Sequence, residues 1–193
     1  MTAIRSATAA EIPAVGRLIG QSFDHLPQNR SLVPDEGERL AVMTAFFRLL
    51  SESAHEGGAV DVVEDASGRL AATAVWFDRT RDLPEIPAYE ERLGALAGRW
   101  MPQFEALDEL LEKHHPQEPH WHLAFLAVDP AHQGAGLGSA LMRHTHDRLD
   151  VPTYLEATNA DNVRLYRRRG YTDMSPFDIR LPDGTPFFRM WRP

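Results

Sequence analysis

The chain has 193 residues, 43% of them hydrophobic, and a formal net charge of -8, which fits one domain spanning residues 1–193. Cysteine is absent, which excludes a disulfide framework, a thiolate metal site and an enzyme-bound thioester. The acidic balance disfavours a nucleic-acid partner, which needs clustered Lys and Arg, and suits a cationic ligand such as an amine.

No run approaches the roughly 20 apolar residues of a membrane span, and residues 1–23 lack the apolar core of a secretory signal. No membrane association is expected, and the cytoplasm is the expected location. Residues 3–6 predict a short strand. Thr8 and Glu11 follow in capping-box spacing, then Ile12, Val15, Ile19 and Phe23 at helical intervals. Residues 22–34 read as polar and irregular. A second helix opens near Pro34 and Asp35, carries Leu40, Met43, Phe47 and Leu50 on its apolar face, and closes before Gly57 and Gly58.

Val60, Val62 and Val63, the turn chemistry of residues 65–68 and the apolar run 70–77 predict an antiparallel hairpin. Residues 78–119 return to helical spacing, interrupted by Pro84, Pro87 and Pro102, and form a helical excursion expected to shape a ligand pocket. Residues 121–128 are an apolar strand ended by Asp129 and Pro130. A helix is expected from the glycine-rich turn to about Leu149, with Leu137, Leu141, Thr145 and Leu149 on its core face. A strand at residues 153–157, a helix at 159–169 closed by Gly170, and short strands around Pro182, Asp183 and Gly184 complete the pattern. No repeat or linker is visible.

The turn Gln133, Gly134, Ala135, Gly136, Leu137, Gly138 joins that apolar strand to that helix. Such a turn is a general anion site, because unpaired backbone N–H groups and the helix dipole both favour a phosphate. The dinucleotide fingerprint fails, since the sixth position from Gly134 is Ser139, and no Gly-Lys-Ser/Thr ending is present for an NTPase loop. What remains is a Gln-x-x-Gly-x-Gly pattern at Gln133, Gly136 and Gly138. A second element follows at Leu155, Glu156, Asn159, Asn162, Tyr166, Gly170 and Tyr171.

These two elements, in this order and separation, resemble the GNAT superfamily of N-acetyltransferases. The likeness covers residues 120–173 well and the amino-terminal part more loosely, and is nearest to puromycin N-acetyltransferase-like members. It implies an α/β (α+β) fold with a mixed, largely antiparallel sheet flanked by helices. Two strands would splay apart at an acetyl-CoA site, acetyl-CoA being the cosubstrate.

On the same resemblance, Gln133, Gly134, Ala135, Gly136, Leu137, Gly138 and Ser139 would hold the pyrophosphate. The backbone of Leu126, Ala127 and Val128 would meet the pantetheine arm as an added strand does, with an N–H near Leu126 facing the reacting carbonyl. Asn159, Asn162 and Tyr166 would complete the cofactor site, with Asn159 also fitted to cap its helix.

With no cysteine to carry an acyl group, the expected reaction is direct attack by an amine in a ternary complex. The resemblance makes Tyr166 the expected acid for the leaving thiolate, and a phenol stays protonated at neutral pH. For the base, Glu156, His120 and His122 are all open. The two histidines share a strand face, and Glu156 matches the Leu-Glu passage of the puromycin-type members. Seven of the nine histidines fall between His114 and His146, but without metal-ligand spacing, so no metal is expected. The expected partner is a small-molecule amine. Acetylation of a peptide or a noncatalytic acyl-CoA-binding role are the alternatives, and a homodimer stays open.

Overall fold

The computed structural model describes residues 3–193. Met1 and Thr2, the start of the expected domain, lie outside the described residues. A seven-stranded sheet has the order β1-β2-β3-β4-β5-β7-β6, with β1 at Ile4–Ser6, β2 at Gly58–Glu64 and β3 at Leu70–Asp78. Then come β4 at Trp121–Val128, β5 at Thr153–Ala157, β6 at Thr172–Arg180 and β7 at Pro186–Arg192. Only β4 and β5 pair in parallel. Their connection runs through a helix, as a parallel crossover requires.

Against one face lie α1 (Ile12–Phe23), α2 (Pro27–Leu32), α3 (Glu36–Gly57), α4 (Tyr89–Ala97) and α5 (Met101–His114); α6 (Leu137–His146) and α7 (Ala160–Arg167) pack on the other. The first cluster joins Ile19, Phe46, Phe47, Val75 and Phe104, and the second joins Trp76, Leu123, Leu141, Leu155 and Tyr166. β2, β3, β4 and β7 each send side chains into both clusters, as the pleat allows.

Local signals account for most boundaries. Thr8 and Glu11 form the predicted capping box, which opens a 3-10 turn running into α1. The Asp35 carboxylate accepts from Gly37 and Glu38 N–H and starts α3, a cap worth about 1 kcal/mol. Gly16 and Gly20 lie one turn apart on α1. A Cβ at Gly16 would sit 2.8 Å from the Arg48 backbone N, and one at Gly20 2.5 Å from Thr44 Oγ1. The glycines thus let α1 and α3 cross in close contact.

Four expectations need correction. Residues 22–34 are not irregular: they include α2, whose Gln28, Asn29 and Leu32 are buried, because Pro27 is pre-set for the first helical turn. Leu40 is 42% exposed, so the apolar face of α3 runs through Met43, Phe46 and Phe47 instead. Pro102 opens α5 rather than interrupting a helix. α6 ends at His146, short of Leu149, once Arg143 and Thr145 carbonyls accept from the Asp147 N–H.

Candidate active site

The parallel β4–β5 ladder has only two register pairs, Trp121 with Thr153 and His122 with Tyr154. Beyond His122 the strands part. The cause lies in β4: its register against β3 shifts between Val75 and Trp76, so that Ala124 is an extra residue. Such a bulge bends a strand and increases its local twist. After the bulge, Asp129 N–H donates to Ala71 O at 2.8 Å. That bond fixes the antiparallel alternation. Ala127 directs its backbone groups to Thr73, whereas Leu126 and Val128 direct theirs into the gap facing β5. The backbone groups of Ala127 are therefore spent on β3, against the expectation that they meet the pantetheine arm, while those of Leu126 face the gap. The Val128 carbonyl accepts from Ser22 Oγ at 3.2 Å and from Gln133 Nε2 at 3.3 Å.

The glycine turn stands over the end of β4. Gly134 and Gly136 have φ of 81° and 79°, the left-handed region, and Gly136 is the amino-terminal cap of α6. A Cβ on Gly138 would lie 3.6 Å from the Leu126 and Val128 side chains, so the first turn of α6 rests on β4. Gln133, Gly134, Ala135 and Gly136 are exposed, and Leu137, Gly138 and Ser139 half-buried. The first N–H groups of α6 have no intrahelical acceptor, and with the helix dipole they suit an anion at the mouth of the gap.

On α7, Asn159 accepts from Asn162 N–H at 2.9 Å, so its side-chain oxygen is used as the helix cap. Asn162 Nδ2 donates to Thr158 Oγ1 at 3.2 Å. One turn further, Tyr166 is 7% exposed and packs with Val163, Leu155 and Tyr171. Its hydroxyl has no protein hydrogen-bond partner among the described residues, and burial pushes its pKa upward, keeping the phenol protonated.

The opposite face of the gap opens into a cavity of about 890 Å³. Its walls come from the end of α1, α2, α3, the β3–α4 connection and α5, with Phe23, Phe47, Phe77, Phe125 and Phe187 among the aromatic residues. Residues 78–119, expected to shape a ligand pocket, contribute, and so do residues 22–34. On the sheet floor His122 Nε2 and Glu156 Oε2 are 2.8 Å apart, and Glu156 Oε1 and His122 Nδ1 have no partner.

Burial by itself would raise the Glu156 pKa, but its neighbours, His122 first and then Tyr154 and His115, together hold it below the usual carboxylate range. His120 also reaches the cavity, yet its Nδ1 meets the Glu118 carbonyl at 2.6 Å and its Nε2 meets His115 Nε2 at 3.2 Å. It has no free ring nitrogen. Burial lowers the pKa of His120 and takes that of His115 down to about 3, aided in both by His122 and Arg79, so both are neutral near pH 7.

Glu156 and His122 are thus brought together, with Tyr166 on the other face of the sheet and the gap between. Sequence reasoning missed Arg79, His115 and Tyr154, which surround the pair. His115 was visible only as one of the clustered histidines, and Arg79 carried no signal. No group of three or more metal-ligating side chains could hold an ion among the described residues, and no described helix is long and apolar enough to cross a membrane.

A family model described as an acetyltransferase (GNAT) domain matches residues 102–173. A mycothiol acetyltransferase from Mycolicibacterium gilvum is 33% identical over 150 residues, covering 71% of this chain and 42% of that protein. The chain thus spans less than half the length of that relative. A crystal structure from Corynebacterium glutamicum described as histone acetyltransferase HPA2 and related acetyltransferase aligns with TM-score 0.75 and 29% identity, covering 100% of this chain and 97% of that one. Arylalkylamine N-acetyltransferase 2 from Aedes aegypti shares the fold, with TM-score 0.63 and 16% identity over 98% and 97% of the two chains. The splayed strands, the glycine turn on α6 and these likenesses agree that the chain carries an acetyltransferase domain of the GNAT family.

Proposed function

We propose that this chain, acting as one domain in the cytoplasm, transfers the acetyl group of acetyl-CoA to a primary amine of a small molecule by direct attack. The observation that carries this reading is the walled cavity whose floor, the Glu156–His122 pair, borders the gap between β4 and β5. A volume near 890 Å³ suits a small ligand. An extended peptide would need an open groove.

The residues present fit acetyl-CoA: an anion cradle at the start of α6, and unpaired backbone groups of Leu126 at the gap. Acetyl-CoA supplies the acyl group as an activated thioester. Leu137, Gly138 and Ser139 N–H would bind the pyrophosphate, and Leu126 would pair with the pantetheine amides. Glu156, with His122 beside it, would accept the proton that the amine loses as its nitrogen forms the new C–N bond. Tyr166 would hold its proton for the sulfur as the C–S bond breaks.

The two passages that resemble puromycin N-acetyltransferase-like members place puromycin in the test panel. Release of CoA is followed with a thiol reagent; the chain has no cysteine, so only CoA responds. Turnover is expected with at least one small amine among puromycin, polyamines and aminoglycosides. Turnover confined to peptides would transfer the reading to protein acetylation, and tight acetyl-CoA binding with no turnover would make the chain a binding module.

The cradle has its own test. Gly136 has open space around its missing Cβ, so alanine meets no clash there, only the cost of the left-handed backbone, about 1–2 kcal/mol. Gly136→Ala is expected to raise the KM for acetyl-CoA about tenfold with kcat within about threefold. An unchanged KM would remove the turn from the cofactor site.

A further inference from the structure

A parted pair of strands has no ladder to set its width. Past His122 and Tyr154 no register pair joins β4 to β5, although the distance between their ends decides what the gap can hold. One short segment touches both ends. Ser22 Oγ donates to Val128 O at 3.2 Å, at the end of β4. Six residues later, Gln28 Nε2 donates to Thr158 O at 3.0 Å, just past the end of β5, and to Pro186 O at 2.7 Å, where β7 begins.

Ser22 and Gln28 are each 3% exposed. Both amide hydrogens of Gln28 are spent on carbonyls, which fixes its orientation. Its Oε1 is enclosed without a partner, a cost that a purely packing residue would not incur. Thr158 is also a junction: Glu156 lies two residues before it, and its Oγ1 accepts from Asn162. The same segment supplies Phe23, Leu26 and Gln28 to the cavity wall.

We propose that residues 22–28 form a crossbar that spans the parted ends of β4 and β5, with Ser22 and Gln28 as positioning residues that set the width of the acyl-donor gap from the acceptor side. The inference rests on the reading of the gap as the acetyl-CoA site. A side chain that fixes a binding geometry shows itself in ligand affinity, whereas one that only packs shows itself in stability alone.

The test measures CoA binding by calorimetry and acetyl-CoA KM in Gln28→Ala, Ser22→Ala and Ser22→Thr, with thermal melting of each. Gln28→Ala is expected to weaken CoA binding about tenfold and raise the KM by a similar factor. Ser22→Ala is expected to weaken binding about threefold, and Ser22→Thr, which keeps the hydroxyl, to restore it. Lower melting temperatures with wild-type CoA affinity would overturn the crossbar and leave a structural role. If Gln28→Ala does not fold, the Ser22 pair decides by the same criterion. Failure of the wild-type protein to bind CoA would instead overturn the underlying reading of the gap.

Discussion

Glu156→Gln is expected to lower kcat/KM for the amine acceptor by about 10²–10⁴-fold, the range of a lost general base. The substitution keeps an oxygen to accept from His122, whose Nε2 lies 2.8 Å from Glu156 Oε2, and removes only the charge. Packing is preserved because the change is nearly isosteric.

The pH profile carries the second half of this prediction. Burial acts to raise the Glu156 pKa, but His122, Tyr154 and His115 outweigh it and hold the carboxyl below its ordinary range. A depressed pKa means that the basic form is present throughout the neutral range and is lost only as pH falls through that lowered value. The wild-type acid limb from this group therefore lies below the usual carboxylate range, and Glu156→Gln removes it. A kcat/KM within twofold of wild type, with an unaltered profile, would sink the assignment. Full activity in His122→Phe would give the proton to Glu156 alone.

Tyr166→Phe is expected to lower kcat by about 10²-fold or more, leave the KM for acetyl-CoA within about threefold, and leave the protein as stable as wild type. The separation between activity and stability follows from the site. The phenol is 7% exposed, and its hydroxyl has no protein partner among the described residues. Removing a hydroxyl that bonds to no protein group costs the fold little. The ring still packs with Val163, Leu155 and Tyr171. Burial raises the Tyr166 pKa with no charge to oppose it, so the phenol stays protonated across the neutral range. Steady-state kinetics with the favoured amine and a thermal melt check both statements. Wild-type kcat in the phenylalanine variant would remove Tyr166 as the acid, and a large drop in melting temperature would mean that the hydroxyl is structural.

The two residues lie on opposite faces of the sheet, which the pleat arranges. Leu155 and Ala157 on β5 join the cluster under α6 and α7, while Tyr154 and Glu156 turn to the cavity side. On the proposed reading, the gap between β4 and β5 is where an acid on one face and a base on the other would meet. The bulge at Ala124 that opens this gap is as much a part of the site as the side chains that flank it.

The sequence by itself determined what depends on near neighbours. β4 and β5 fall at the predicted residues 121–128 and 153–157, because short apolar runs bounded by Pro and turn residues have little alternative as strands. The glycine turn falls at the start of α6 as expected, because a left-handed turn into a helix needs only consecutive residues. Asn162 and Tyr166 were legible as a pair because α-helical spacing puts residues four apart on one side.

Tertiary structure alone decided the rest. The Glu156–His122 contact joins residues 34 apart, and Gln28 reaches carbonyls 130 and 158 residues away; no local pattern encodes such distances. Sequence left Glu156, His120 and His122 as open alternatives for the base, and only packing showed that His120 spends both ring nitrogens on its neighbours while His122 does not. Leu40 fits a helical stripe and still faces solvent, since a period gives the face of a helix only to within about one residue and the neighbours choose the final rotation. The glycine turn could point to a phosphate from its own chemistry; the cavity had to wait for four helices and a bent strand to meet.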